Sequence, residues 1–147
     1  RAVFATNVDG VLNTLLPVLP RMQQRKRGQV AIMSSLAGFR GFGQSPAYCA
    51  SKAAERVLGE GLRLRLKPHG VKMSVICPGF VKTPLTDKNN FTMPFLMDVE
   101  KAAQLIRQGL AQDKGRISFP GPLVFAVWLL SALPTGWSEW LLGWRKR

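Results

Sequence analysis

The sequence predicts an α/β chain with parallel strands, and three observations carry that prediction. Hydrophobic periodicity runs along the chain in the order helix, strand, helix, strand, helix, strand, the order of parallel strands joined by right-handed crossovers. The strand-like runs are short, apolar and β-branched, as buried strands are. With 147 residues, 46% of them hydrophobic and 20% charged, the chain has the size of one domain and the composition of a packed core.

Residues 2 to 24 read as the first helix, because Val8, Val11, Leu12, Leu15, Leu16 and Leu19 recur at helical spacing. Pro17 and Pro20 should kink or end it, since each removes a backbone donor. Arg21 to Arg27 form a basic close, and Gly28 breaks the chain before a strand from Gln29 to Ser34. Ser34 to Gln44 is a loop holding Gly38, Gly41 and Gly43.

Ser45 and Pro46 start the second helix as N-cap and first helical residue. Its apolar stripe is Ala47, Ala50, Ala54, Val57, Leu58, Gly61, Leu62 and Leu66, with Glu55, Arg56, Glu60, Arg63 and Lys67 on the other side. Pro68 and Gly70 stop it. Val71 to Cys77 is a second strand, and Pro78-Gly79 turns the chain out of it. Residues 85 to 97 lack a period and end in the apolar cluster Phe91, Met93, Pro94, Phe95, Leu96 and Met97. Asp98 caps a third helix that ends near Gln112, and Arg116 to Phe119 form a short strand.

Residues 120–147 differ from 1–119 and read as an apolar tail. The run from Leu123 to Leu133 holds 11 residues, below the roughly 20 that span a bilayer. Trp128, Trp137, Trp140 and Trp144 stand beside Arg145-Lys146-Arg147. Two readings stay open: an interfacial helix pair in peripheral contact with a membrane, or a tail packed on its own domain or on a sister subunit.

Lys and Arg total 21 against 8 Asp and Glu, a formal net charge of +13. The basic residues gather at helix ends and in the tail, where the helix dipole and solvent favour them. No recognition helix, zinc knuckle or aromatic-basic strand motif accompanies them, so nucleic acid is not the expected partner. Cys49 and Cys77 are too few for a disulfide framework or a four-ligand zinc site, and His69 is the single histidine, so no metal site is expected. A reducing, cytoplasmic location follows as the expectation. His69 sits in a Pro-His-Gly turn and no Gly-x-Ser-x-Gly elbow is present, which disfavours a hydrolase. The chain opens Arg-Ala-Val-Phe-Ala without Met or a signal pattern, the expectation for a chain that starts inside a longer one.

Tyr48 and Lys52 carry the chemistry. A spacing of four puts both on one helix face, a turn apart. An ammonium beside a phenol favours the phenolate, as does the positive end of the helix, and this would bring Tyr48 towards proton transfer at neutral pH. Tyr48 is the only tyrosine in the chain. Alone, Tyr-x-x-x-Lys is weak, since a surface tyrosine under a lysine stem has the same pattern. Its surroundings strengthen it. Ser34 and Ser35 end the first strand and Pro78-Gly79 ends the second, and open parallel sheets bind ligands beyond the carboxyl ends of their strands. A hydroxyl such as Ser35 there would hold a carbonyl oxygen while Tyr48 protonates it.

These residues resemble the short-chain dehydrogenase/reductase family. The matching segments are Asn-Val-Asp-Gly-Val at 7–11, Ser-Ser-Leu-Ala-Gly at 34–38, Tyr-Cys-Ala-Ser-Lys at 48–52 and Pro-Gly-Phe-Val-Lys-Thr at 78–83, in the family's order and with Ser35 13 residues before Tyr48. The resemblance implies a Rossmann-like parallel sheet with flanking helices. It also implies a tetrad of Asn7, Ser35, Tyr48 and Lys52, acting with NAD or NADP on a carbonyl or alcohol. Tyr48 would be the general acid or base, Ser35 would hold the substrate oxygen, and Lys52 would bind the nicotinamide ribose. Asn7 would hold a relaying water, or would simply join secondary-structure elements. Ser34 remains a rival to Ser35. Pro78, Gly79, Val81 and Thr83 would touch the nicotinamide.

Residues 85 to 97 fall where the family carries a mobile substrate lid. Phe91, Met93, Phe95 and Met97 there would favour a hydrophobic small-molecule substrate, or would be the lid's own packing. The resemblance also implies a homodimer or homotetramer paired through segments 2 to 24 and 46 to 66. The family's glycine-rich dinucleotide fingerprint is missing from the sequence, so the match is to the carboxyl-terminal half, expected to be inactive alone and to leave a sheet edge exposed. The alternative is a non-catalytic, membrane-associated or interaction module built on the same fold.

Overall fold

The computed structural model describes residues 1–84, 86 and 91–143, without the side chains of 142 and 143. Eight elements follow in order: α1 (Ala2–Gln24), β1 (Gly28–Met33), α2 (Pro46–Leu66), β2 (Val71–Pro78), α3 (Val99–Ala111), β3 (Arg116–Phe119), α4 (Gly121–Ala132) and α5 (Thr135–Gly143). The three strands form one parallel sheet in the order β1-β2-β3, with Gly28 opposite Val71 and Val75 opposite Arg116. The expected α/β class with parallel strands is the observed one, and the outer edge of β1 has no strand partner among the described residues.

Residues of β2 alternate between two cores because successive side chains leave a strand on opposite faces. Val71 and Met73 pack with Ile32 of β1, Leu15 of α1 and Leu66 of α2. Further along the same face, Val75 and Cys77 meet Leu36 and Val127 of α4. Ile76 points the other way and joins Ile117, Phe119 and Ala102 of α3. The sheet is thus a middle layer, with α1, α2 and α4 on one face and α3 on the other.

α1 is long and apolar enough to cross a membrane by length and composition alone. In this fold its Leu15 is buried, with Val11, Leu19 and Met22 beside it on the sheet. The expected break at Pro17 and Pro20 does not occur, and the helix runs through both. The carbonyls that these prolines cannot bond belong to the exposed residues Asn13 and Leu16, which solvent can reach.

α2 also departs from its expected face. Cys49, Ser51, Glu55, Gly59 and Leu66 are buried, whereas Ala47, Ala50, Val57 and Gly61 are exposed. The inward positions are small because the helix lies close to the sheet: a side chain at Gly59 would meet Val75 Cγ2 at 2.4 Å. Hydropathy does not register a face made of Ser, Gly and one Glu. The N-cap positions Ser45 and Asp98 are as expected, but neither side chain caps its helix, and Asp98 instead pairs with Lys82.

Of the two readings of the tail, packing on its own domain is met on the inner face. Leu123, Val124 and Val127 of α4 pack on Leu36, Val75 and Cys77, and Ser131 Oγ donates to Phe39 O at 3.0 Å. Arg40 donates to the buried Ser138 Oγ of α5. Phe125, Trp128, Leu129, Trp137 and Trp140 face outward. Trp144 and Arg145-Lys146-Arg147 lie outside the described residues.

Gly38 tests how closely the loop after β1 is fitted to α2. A Cβ there would sit 2.7 Å from both the carbonyl carbon and oxygen of Lys52, and a backbone cannot step aside as a side chain can. Gly38→Ala is expected to lower unfolding stability by about 2 kcal/mol. Urea unfolding checks it, and an unchanged midpoint contradicts the close fit.

Candidate active site

β1 ends at Met33, and the next residues are stitched to α2. Ser34 N continues the sheet by donating to Ile76 O (2.8 Å), while the buried Ser34 Oγ donates to Lys52 O (2.7 Å). Arg56 Nε reaches Gly38 O (3.3 Å) from the same helix. Ser34 is therefore committed to structure. Ser35, half-buried and extended, presents an Oγ that accepts from Ala37 N (3.1 Å) and makes a long donor contact to Pro78 O (3.4 Å). The carboxyl ends of β1 and β2 thus meet at Ser35 and Pro78.

α2 brings Tyr48 and Lys52 to the same side, with Lys52 Nζ 5.7 Å from the centre of the Tyr48 ring. The Tyr48 hydroxyl has no hydrogen-bond partner among the described residues. The Lys52 ammonium is engaged: it donates to Met33 O at 2.9 Å and to Glu55 at 2.9 and 3.2 Å. With the two Glu55 oxygens sharing one N–H, one of its three N–H groups remains for a ligand.

Asn7 lies in a π-helical turn, Ala5–Asp9, within α1. Such widened turns often occur at functional positions. Its Nδ2 donates to the buried Ser51 Oγ (3.0 Å), which in turn donates to Tyr48 O (2.8 Å). Asn7 therefore joins α1 to the turn of α2 that carries Tyr48.

Beyond β2, Gly79 N donates to Phe119 O (2.8 Å), and a Cβ at Gly79 would meet Leu123 at 2.7 Å. Val81 pairs with Met97, whose N donates to Phe80 O (3.0 Å). Thr83 N donates to Thr86 Oγ1 (2.8 Å), which donates to Val81 O (2.9 Å). Hydrogen bonds of Val81 and Thr83 stay within this loop and do not reach Tyr48 or Lys52. Phe91 packs edge-to-face on Phe80, Met97 is buried, and Phe95 and Leu96 are exposed. Leu85 and residues 87–90 of the expected lid lie outside the described residues.

The family model for short chain dehydrogenase matches residues 1–94, which include Asn7, Ser35, Tyr48, Lys52 and the Pro78-Gly79 turn. The chain belongs to the short-chain dehydrogenase family. An uncharacterized oxidoreductase of Myxococcus xanthus is 45% identical over 134 residues, covering 91% of this chain and 53% of the relative. A short-chain dehydrogenase from Burkholderia cenocepacia in complex with NADP has a TM-score of 0.78 at 22% identity, over 93% of this chain and 56% of that one. Another from Sphingobium yanoikuyae in complex with NADPH has a TM-score of 0.74 at 22% identity, over 90% and 56%. The Rossmann-like fold expected from the resemblance is the one found. The chain spans about half the length of the relatives it matches.

In this family member the residue that the sequence does not reveal is Glu55. It was expected on the solvent side of α2, yet it is 3% exposed and faces Lys52. The signal was present, since positions 48, 52 and 55 follow helical spacing and share one face. Burial pushes the Cys77 thiol up, and Cys49 is buried too, which leaves neither as a ready nucleophile.

Burial also pushes the Glu55 carboxyl above its ordinary 4.5, against the pull of the Lys52 ammonium. A carboxyl with a raised folded pKa contributes stability that is full below its unfolded value and lost as pH rises through the folded one. Glu55→Gln removes that loss. The variant should gain unfolding free energy over the wild type as pH goes from about 4.5 to about 7. Urea unfolding at both values reads it, and a constant difference contradicts the buried, strained charge.

Proposed function

We propose that the chain carries the catalytic end of an NAD- or NADP-dependent oxidoreductase that moves a hydride between nicotinamide and a carbonyl or alcohol. The observations that support this reading are Lys52 beside the Tyr48 ring and on Met33 O at the end of β1, two residues before Ser35, which contacts Pro78 at the end of β2. The donor set fits a nicotinamide ribose: Lys52 keeps one N–H for a ribose hydroxyl, and the Tyr48 hydroxyl is free of protein partners among the described residues. Pro78, Gly79, Val81 and Thr83 would line the nicotinamide side. The names of the Burkholderia and Sphingobium relatives, in complex with NADP and NADPH, support this cofactor class.

When bound, the reduced nicotinamide supplies the hydride. Tyr48 gives its hydroxyl proton to the substrate oxygen, and Ser35 donates a hydrogen bond to that oxygen as charge develops on it. In the oxidative direction Tyr48 accepts the proton instead. Lys52 holds the ribose. Asn7 keeps the Tyr48 turn in place through Ser51, and a water held by Asn7 would return the proton. Gly79 lets Leu123 of α4 approach the backbone after β2 closely.

The exposed Phe91 and Phe95, beside the half-buried Phe80, support a hydrophobic substrate. Exposed Leu16 on α1 and Val57 and Leu64 on α2 support pairing of subunits through these helices. The glycine-rich nucleotide half is needed for turnover in this reading, so the chain alone is inactive.

The test is the chain joined to such a half, assayed for NADH and NADPH oxidation across carbonyl substrates. Tyr48→Phe is expected to lower kcat by roughly 100-fold or more while the protein stays folded. Turnover indifferent to that change overturns the assignment.

A further inference from the structure

Glu55 is the one acidic residue among the buried side chains of the described chain, and nothing in the tetrad accounts for it. Its carboxylate lies on the Lys52 ammonium, whose side chain is itself 13% exposed. A buried ion pair is a poor device for stability, because desolvation of both charges offsets their attraction and an apolar residue of similar size does as well. The pair makes better sense as a means of fixing the ammonium. A lysine head on four rotatable bonds samples many positions unless its hydrogen bonds choose one.

Here two of its three N–H groups are assigned. Met33 O, at the end of β1, takes one at 2.9 Å, and the two Glu55 oxygens, one helical turn along α2, share another at 2.9 and 3.2 Å. These acceptors come from different elements, so they fix the ammonium relative to both the strand and the helix. The single remaining N–H then has a defined direction.

We propose that Glu55 is a positioning residue: it holds the Lys52 ammonium so that one N–H is presented to the nicotinamide ribose, and it partly neutralises that ammonium. This rests on the reading of Lys52 as the ribose-binding lysine. Glu55 touches neither substrate nor cofactor and acts only through Lys52. Its carboxylate depends on the same contact in return, since burial disfavours its charge and Lys52 favours it.

A double-mutant cycle tests this in the chain joined to its nucleotide-binding half, with cofactor affinity read by fluorescence titration of NADH and NADPH and with KM and kcat measured separately. Glu55→Gln is expected to weaken cofactor binding by about tenfold, the scale of one misdirected charge-assisted hydrogen bond, and to raise cofactor KM more than it lowers kcat. Glu55→Asp should recover part of the loss. In a Lys52→Ala background Glu55→Gln should have no further effect, whereas a merely structural role would persist there. On the chain itself, Lys52 should be labelled faster by reductive methylation in Glu55→Gln than in wild type. If the Gln variant fails to fold, Glu55→Leu carries the same test.

Unchanged cofactor affinity in folded Glu55 variants, with Lys52→Ala still weakening binding, overturns the positioning role alone. Unchanged affinity in Lys52→Ala overturns the ribose reading and the proposal with it.

Discussion

Ser34 Oγ donating to the carbonyl of Lys52 is the contact on which the site depends. It ties the end of a strand to a helix 18 residues later through a buried serine. A buried hydroxyl left without a partner is costly, which favours this bond. Once it is made, three things follow. Ser35 is carried to the rim beside Pro78, Met33 O comes within reach of the Lys52 ammonium, and Gly38 is pressed against the helix backbone. Residue 52 is thereby used twice, by its backbone to anchor the loop and by its side chain to meet the strand end.

The rest of the fold serves to keep that junction still. Met73, Val75 and Cys77 are fully buried, and Gly59 lets α2 settle close on the strand that bears them. Arg63 strengthens the far end of the same helix by donating to Met73 O and to Asp113, whose carboxyl it holds below the ordinary range. The tail closes the other side of the junction, with Val127 on Cys77 and Leu123 over Gly79. A site assembled from strand ends and a helix start gains its precision from such packing rather than from the loops themselves.

Much of this was legible in the sequence because it is written in periods and punctuation. β3 was found at its observed bounds, and α2 and α3 within a residue or two, since Pro46, Gly70 and Asp98 mark their ends. Tyr48 and Lys52 share a face because helical geometry allows nothing else. What was hidden depends on tertiary context. The stripe of Ala47, Ala50 and Val57 is exposed because close approach favours Gly59 and Ser51 as the inward residues. Glu55 reads as a surface charge until a lysine and a strand carbonyl are seen to surround its partner. α1 continues through Pro17 and Pro20 because the freed carbonyls face water, which sequence alone does not state. Spacing alone set Ser35 ahead of Ser34, and burial adds what spacing could not, since Ser34 is buried and bonded to Lys52 O.

The buried pair of Lys52 and Glu55 shows the same tension between stability and chemistry. An apolar side chain at position 55 would suit the core, yet a charge is kept where a directed ammonium is of use. Strand, helix and ion pair converge on one small region, and its geometry can be seen directly. The decisive measurement is a crystal structure of the chain joined to a nucleotide-binding half of the family, with a bound nicotinamide cofactor and a carbonyl analogue. The expected result is one analogue oxygen within hydrogen-bond reach of both Tyr48 Oη and Ser35 Oγ, with Lys52 Nζ on a ribose hydroxyl. An analogue oxygen held elsewhere, with Tyr48 and Ser35 turned away from it, contradicts the assignment.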